Sequence, residues 1–201
     1  MNWINDIASL EALYGEPGLA STGKVTDRLT PEYREWIEAA PFCALSTIGP
    51  EGMDCSPRGD AEPVAKILDE RTVALPDRRG NNRIDSLRNI VRDPRVSLMF
   101  LVPGSATVIR INGTAKVTAD ADMLKRFEMR GALPRSVTVV TIDEVYFQCA
   151  RAVMRAKLWS GGICEDPQTL PTPGQILESM AGLDGKAYDE DWPERAKHSM
   201  W

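Results

Sequence analysis

Two arginines, Arg58 and Arg83, and a run of amide and glycine residues stand out as groups able to hold an anion. The stretch Val73-Ala-Leu-Pro-Asp-Arg-Arg-Gly-Asn-Asn-Arg83 reads as a β segment that ends in a proline turn and crosses a basic loop. A helical run over 84–92 follows it. Such a junction collects backbone N–H groups, side-chain amides and guanidinium groups in one small volume, a combination suited to a phosphate. Two further stretches, Cys55-Ser-Pro-Arg-Gly-Asp60 and Arg110-Ile-Asn-Gly113, are expected to converge on it. Arg58 sits in a Ser-Pro-Arg-Gly turn whose backbone is stiffened by proline. Asn82 and Arg83 fall at the start of the following helix, where the dipole adds about 0.3–1 kcal/mol for an anion. Two guanidinium groups can clamp a phosphate bidentately, as lysines cannot. On the loop alone, an ordinary solvated turn stays open as the alternative.

The composition narrows the chemistry further. A chain of 201 residues, 43% hydrophobic and 26% charged, can build one full core with decorations. Its net charge of −5 argues against broad nucleic-acid binding, which needs a basic surface. No apolar run reaches the ~18 residues of a spanning helix. The start, Met1-Asn-Trp-Ile-Asn-Asp-Ile, has neither a basic segment nor an apolar signal core, so a cytoplasmic location is expected. Cys43, Cys55, Cys149 and Cys164 form no Cys-x-x-Cys pair and are expected as reduced thiols packed mostly in the core. His198 is the only histidine, which weighs against zinc and against His-based acid–base catalysis. An enzyme of this composition takes its reactive group from a cofactor.

The periodicity supplies the elements that position these groups. Residues 5–14 and 31–40 carry apolar residues at helical spacing, the second run capped by Thr30 with Pro31 at its first position. The 18–23 stretch between them reads as a loop. From Phe42 the period becomes that of strands, with β candidates at 42–48, 53–56, 65–68, 72–75, 95–102, 106–118 and 137–149. Helices are expected at 84–92, with Ile84, Leu87, Ile90 and Val91 on one face, and at 120–130, 150–158 and 174–180. This is the α+β class, a small antiparallel β-barrel with peripheral helices. Residues 1–40 read as a helical extension packed on the barrel, 41–162 as the barrel domain, and 163–201 as a peripheral C-terminal arm with a polar tail.

Gly18-Leu-Ala-Ser-Thr-Gly-Lys24 has the outline of a nucleotide-binding P-loop but fails on context. Val25 follows where a hydroxyl is needed for Mg²⁺, and a helix precedes it in place of a strand. Near the other end, Arg151, Arg155 and Lys157 crowd a segment that closes on Trp159. That segment suits an edge contact with a flat anionic ligand. It suits equally the solvated basic face of a helix.

With its Ser56-Pro-Arg-Gly-Asp60 turn, its Leu75-Pro-Asp…Gly80-Asn…Arg83 loop and its late Arg151…Arg155…Leu-Trp159 segment, the chain resembles the pyridoxamine 5′-phosphate oxidase-like, FMN-binding split-barrel family. The similarity runs over about residues 25–162. It implies a six-stranded antiparallel split β-barrel with Greek-key connections, assembled as a homodimer with FMN at the subunit interface and acting on a small-molecule substrate. Carried onto this chain, it implies Ser56 and Arg58 near the flavin phosphate, with Leu75, Pro76 and Asp77 along the isoalloxazine edge. It implies Asn82 and Arg83 at the phosphate, Arg110 on the strand facing the flavin, and Arg155 and Trp159 from the second subunit. Val108 stands where the oxidase itself carries a glutamine, and Gln148-Cys-Ala-Arg151 where relatives have His-Cys-Ala-Lys. The oxidase's Arg-x-His signature near the C-terminus is missing. The resemblance therefore implies an FMN-dependent oxidoreductase working through flavin N5 but not on vitamin B6. A flavin carrier or sensor, a deazaflavin enzyme and a haem protein are the alternatives; the last wants an axial histidine that His198 is badly placed to supply.

Overall fold

The computed structural model describes residues 1–163 and 166–200. Cys164, Trp201 and the side chain of His198 therefore lie outside the described residues. Seven strands, β1 (Phe42–Gly49), β2 (Gly52–Gly59), β3 (Lys66–Asp69), β4 (Thr72–Asp77), β5 (Arg95–Leu101), β6 (Val108–Thr118) and β7 (Ser136–Gln148), form one sheet. Its order is β2-β1-β5-β6-β7-β4-β3 and every pairing is antiparallel. The class is α+β as expected, and the six-stranded split barrel that the resemblance implies is corrected to one seven-stranded sheet with β2 and β3 as edges. The tight turn after Asp69 divides residues 66–77 into two short strands, the second of which pairs with β7.

Inward residues of β1, β5, β6 and β7 alternate along each strand and build the core, with Cys43, Leu45, Leu98, Phe100, Ile111 and Val145 fully buried. The helix α3 (Pro31–Glu38) closes one side of it. Thr30 caps that helix by accepting from the Tyr33 N–H, Ile37 is buried, and Tyr33 and Trp36 pack against the core.

Several local expectations change. The helix α1 (Ile7–Tyr14) forms, capped by Asp6, but Ile7, Leu13 and Tyr14 stay exposed in the single chain. Residues 19–22 make a short helix, α2 (Leu19–Thr22), in place of loop. The helix α4 (Asp85–Arg92) starts one residue late and buries Ser86, Asn89 and Ile90, leaving Ile84 and Val91 exposed. It packs on the β1–β2 hairpin through polar contacts, and Asn89 donates to Thr47 Oγ1 at 3.1 Å. Gly49 permits this approach, since a Cβ there would lie 2.2 Å from Asn89 Oδ1. The helices α5 (Ala121–Lys125) and α6 (Arg151–Arg155) are shorter than the periodicity suggests. The helix expected at 174–180 forms as α7 (Pro173–Ala181), and the polar tail after it is helical as well, with α8 (Gly185–Glu190) and α9 (Trp192–Ser199). Cys43 is buried, whereas Cys55 and Cys149 are exposed, so the thiols are not mostly core residues. None of the described helices is long and apolar enough to cross a membrane.

Candidate functional site

The second half of β2 does not turn where the Ser-Pro-Arg sequence suggests. Ser56, Pro57 and Arg58 continue the strand to Gly59, in register with Leu45, Ala44 and Cys43. β2 is an edge strand, so the N–H that Pro57 lacks costs no partner on its open side. Strand alternation then sends Ser56 and Arg58 to the same face. β4 brings Pro76 and Asp77 opposite Val137 and Ser136, beyond the short reach of β3. The following loop runs back to α4, whose packing against β1 and β2 sets Ser86 beside Ser56.

These elements enclose a cavity of about 520 Å³, lined among others by Ser56, Arg58, Pro76, Asp77, Asn82 and Arg83. Six of the ten residues singled out in the sequence thus meet in one place. Four arginines, Arg58, Arg78, Arg79 and Arg83, face four aspartates, Asp54, Asp60, Asp77 and Asp85, across this cavity. Its cations are therefore oriented by partners before any ligand arrives.

Arg58 donates from Nη1 to Asp77 Oδ1 at 2.8 Å, with side-chain exposures of 22% and 17%. Its Nε is buried and has no hydrogen-bond partner. A buried guanidinium N–H left unmade costs about 1–3 kcal/mol, so this atom is a donor that wants an acceptor. Arg78 is held differently. Its Nε and Nη2 reach Asp60 Oδ2 at 2.9 and 2.8 Å, and Nη1 donates to the Phe127 carbonyl at 2.6 Å. Arg78 is thereby a strut that ties the loop to the end of α5. Arg83 pairs with Asp85 at 2.7 Å but is 76% exposed, so solvent screens that pair and its guanidinium is cheap to redirect.

The loop itself is fixed by Asn82, which sits at φ 62° and accepts from Arg135 Nη1 at 2.6 Å. Asparagine tolerates that left-handed conformation well. Ile84, at φ 53° just before α4, does not, and stores strain at the cavity wall. Two residues on, Ser86 Oγ donates to Asp54, so the 2.8 Å contact between Ser56 and Ser86 has Ser56 as donor. An anion in the cavity would offer the Ser56 O–H a better acceptor. Behind Arg58, Cys43 is pushed up to about 12 by burial, partly opposed by the charge of Arg58. It remains a thiol at neutral pH.

The other four candidates lie elsewhere. Leu75 is buried in the core and presents no side chain to the cavity. Arg110 stacks over Tyr146 with Cζ 5.3 Å from the ring centre. Arg155 donates to the Arg151 carbonyl at 3.3 Å, and Trp159 Nε1 to the Ser105 carbonyl at 2.6 Å. The Arg110-Ile-Asn-Gly113 stretch does not converge on the phosphate-type cavity. Its glycine belongs to a bulge between β6 and β7, where a Cβ would meet the Thr141 carbonyl oxygen at 2.0 Å. Ser86, Asp54, Asp60 and Arg78 are wall residues that the sequence reading passed over. Asp60 and Arg78 stood within the quoted stretches, whereas no local pattern marks Asp54 or Ser86.

Residues 29–149 match the family described as Pyridoxamine 5′-phosphate oxidase. The chain belongs to that family. The matched span covers the whole cavity and ends just after β7. Among curated proteins nothing matches the chain. Solved structures similar to it include a Lactobacillus delbrueckii protein named for pyridoxamine 5′-phosphate oxidase, 24% identical over 60% of this chain and 95% of that one, with a TM-score of 0.49. HupZ of Group A Streptococcus is 15% identical over 59% and 93%, with a TM-score of 0.49. An FMN-binding protein from Syntrophomonas wolfei is 15% identical over 58% and 88%, with a TM-score of 0.44. These likenesses are too distant to say what the present oxidase-family member does. Among its described residues no cluster suited to a metal ion is found.

Proposed function

We propose that this cavity binds the phosphate of FMN and that the protein is an FMN-dependent oxidoreductase acting on a small organic substrate. The observation that carries the reading is the orphaned, buried Nε of Arg58 in a cavity shared with Ser56, Asn82 and Arg83. A phosphate oxygen is the kind of acceptor that atom lacks, and membership of the oxidase family supports the same ligand. The residues present fit the group: Arg58 and Arg83 for its charge, Ser56 and the Asn82 amide for its oxygens, Pro76 and Asp77 along the ring. Asp77 holds the Arg58 guanidinium through Nη1, which leaves the Nε side of the group without a partner. Asp85 holds Arg83 by an exposed pair that a dianion can displace at little cost. When bound, FMN supplies hydride acceptance and donation at N5, chemistry that no side chain of this protein provides.

In this reading the functional unit is a homodimer, with Arg110 on the strand facing the flavin and Arg155 and Trp159 of one copy meeting the flavin held by the other. The test is titration of the purified protein with FMN, followed by flavin fluorescence and visible absorbance, with molar mass from light scattering. Saturable quenching at one FMN per chain in a dimer is expected, with riboflavin much weaker. If FMN and riboflavin bind alike, or neither binds, the phosphate reading fails.

A further inference from the structure

Past Thr141, β4 no longer accompanies β7, and the free edge of β7 is taken up by residues 24–26. Thr26 and Val145 exchange both backbone bonds, at 3.1 and 2.7 Å. Tyr33 locks the arrangement: its hydroxyl donates to the Lys24 carbonyl at 2.8 Å and accepts from the Phe147 N–H at 3.3 Å. Lys24 therefore lies along a strand edge. From there its ammonium reaches rings on both faces of β7, 4.6 Å from the centre of Phe147 and 6.0 Å from that of Tyr146. Arg110, directly across from Tyr146 on β6, flanks the same ring.

A groove of about 550 Å³ opens beside this ring, lined among others by Lys24, Glu144, Tyr146, Gln148 and Arg151. It shares no lining residue with the Arg58 cavity. Glu144 is engaged across the sheet by Asn112 Nδ2 at 3.1 Å, and Asn112 in turn accepts from Ser97 at 2.8 Å. Two cations thus border the groove against one carboxylate that already has a donor. The Lys24 of the P-loop-like stretch, which has no phosphate role in that context, acquires a place here.

We propose that this groove binds a flat aromatic carboxylate, its ring against Tyr146 and its carboxylate between Lys24 and Arg151. A half-buried tyrosine supplies the platform for a ring, and the Lys24 ammonium and Arg151 guanidinium that line the groove select an anion over a neutral arene. The volume falls within the usual range for small-molecule sites, roughly 300–1,000 Å³. The inference goes beyond the flavin reading and does not require it.

The probe is 2-naphthoate, titrated into the full-length protein at low salt by calorimetry, with 2-naphthol as the neutral control. The naphthoate should bind more tightly than the naphthol. Lys24→Gln should weaken naphthoate about three- to fivefold, the scale of one exposed ion pair, and leave naphthol unchanged. Tyr146→Leu, which keeps an apolar side chain in the strand, should weaken both. Equal affinity for the two probes, an unaltered naphthoate affinity in Lys24→Gln, or no binding of either probe overturns the proposal; closure of the groove by a second copy would show as the last. FMN titrations of the same variants keep the two readings apart. Unchanged FMN binding with weakened naphthoate supports separate sites, while loss of FMN binding in Lys24→Gln or Tyr146→Leu would make the groove part of the FMN site and overturn the proposal.

Discussion

Replacement of Arg58 separates a ligand-binding guanidinium from a merely structural one. The wild-type side chain makes one bond to Asp77 at 2.8 Å and leaves Nε unsatisfied. In Arg58→Lys a single ammonium can still satisfy Asp77, but it cannot also present a second, fixed N–H to a phosphate. Folding stability should therefore fall by less than about 1 kcal/mol, since the ion pair is kept and is itself partly exposed. FMN binding should lose a charge-assisted hydrogen bond, about 1.5–3 kcal/mol, which corresponds to roughly ten- to a hundredfold in Kd. Arg58→Met goes further, because it strands Asp77, 17% exposed, without its cation. That variant should lose about 1–3 kcal/mol of stability in addition to FMN affinity. Urea unfolding gives the first quantity and quenching of flavin fluorescence the second. If Arg58→Lys binds FMN within twofold of wild type while Arg58→Met is destabilised, Arg58 serves only to hold Asp77, and the phosphate assignment is wrong.

Three other expectations follow from the same geometry. Arg78→Met removes a three-bond strut from a nearly buried aspartate and should cost about 3 kcal/mol, whereas Arg83→Met breaks an exposed pair and should cost under about 1 kcal/mol, measured by urea unfolding; equal losses would refute the distinction between strut and ligand arm. Cys43, raised to about 12, should resist iodoacetamide at pH 8 in the native protein while Cys55 and Cys149 react, as peptide mass spectrometry would show; because its folded value lies above the ordinary 9.0, its contribution to stability is complete below pH 9 and disappears as pH rises toward 12. Asp93 is held down to about 2 by hydrogen bonds from the Arg95 side chain and backbone, so its stabilising effect is present above pH 3.8 and is lost as pH falls through 2. Arg95→Ala should move the Asp93 carboxyl resonance back toward ordinary aspartate titration in an NMR series, and an unmoved midpoint would contradict the pairing.

Local chemistry by itself determined much of this protein. Alternating Val, Ile and Phe residues located the strands, Thr30-Pro31 located the start of α3, and the Gly/Asn-rich loop after Pro76 located the basic wall of the cavity. These features depend on neighbours within a few residues, and a sequence displays them directly. The tertiary structure alone decided the rest. Pro57 reads as a turn until β2 is known to be an edge strand, where the missing N–H is harmless. The inward face of α4 reads as apolar until the hairpin it packs on presents Thr47 and Ser56, partners that only long-range pairing supplies. Gly113 closes a stretch expected at the anion cavity but answers to a carbonyl 28 residues away. Arg58 illustrates the division best. Its charge is written in the chain, but which of its N–H groups remains without a partner depends on Asp77, nineteen residues on, and on the sheet that brings the two together.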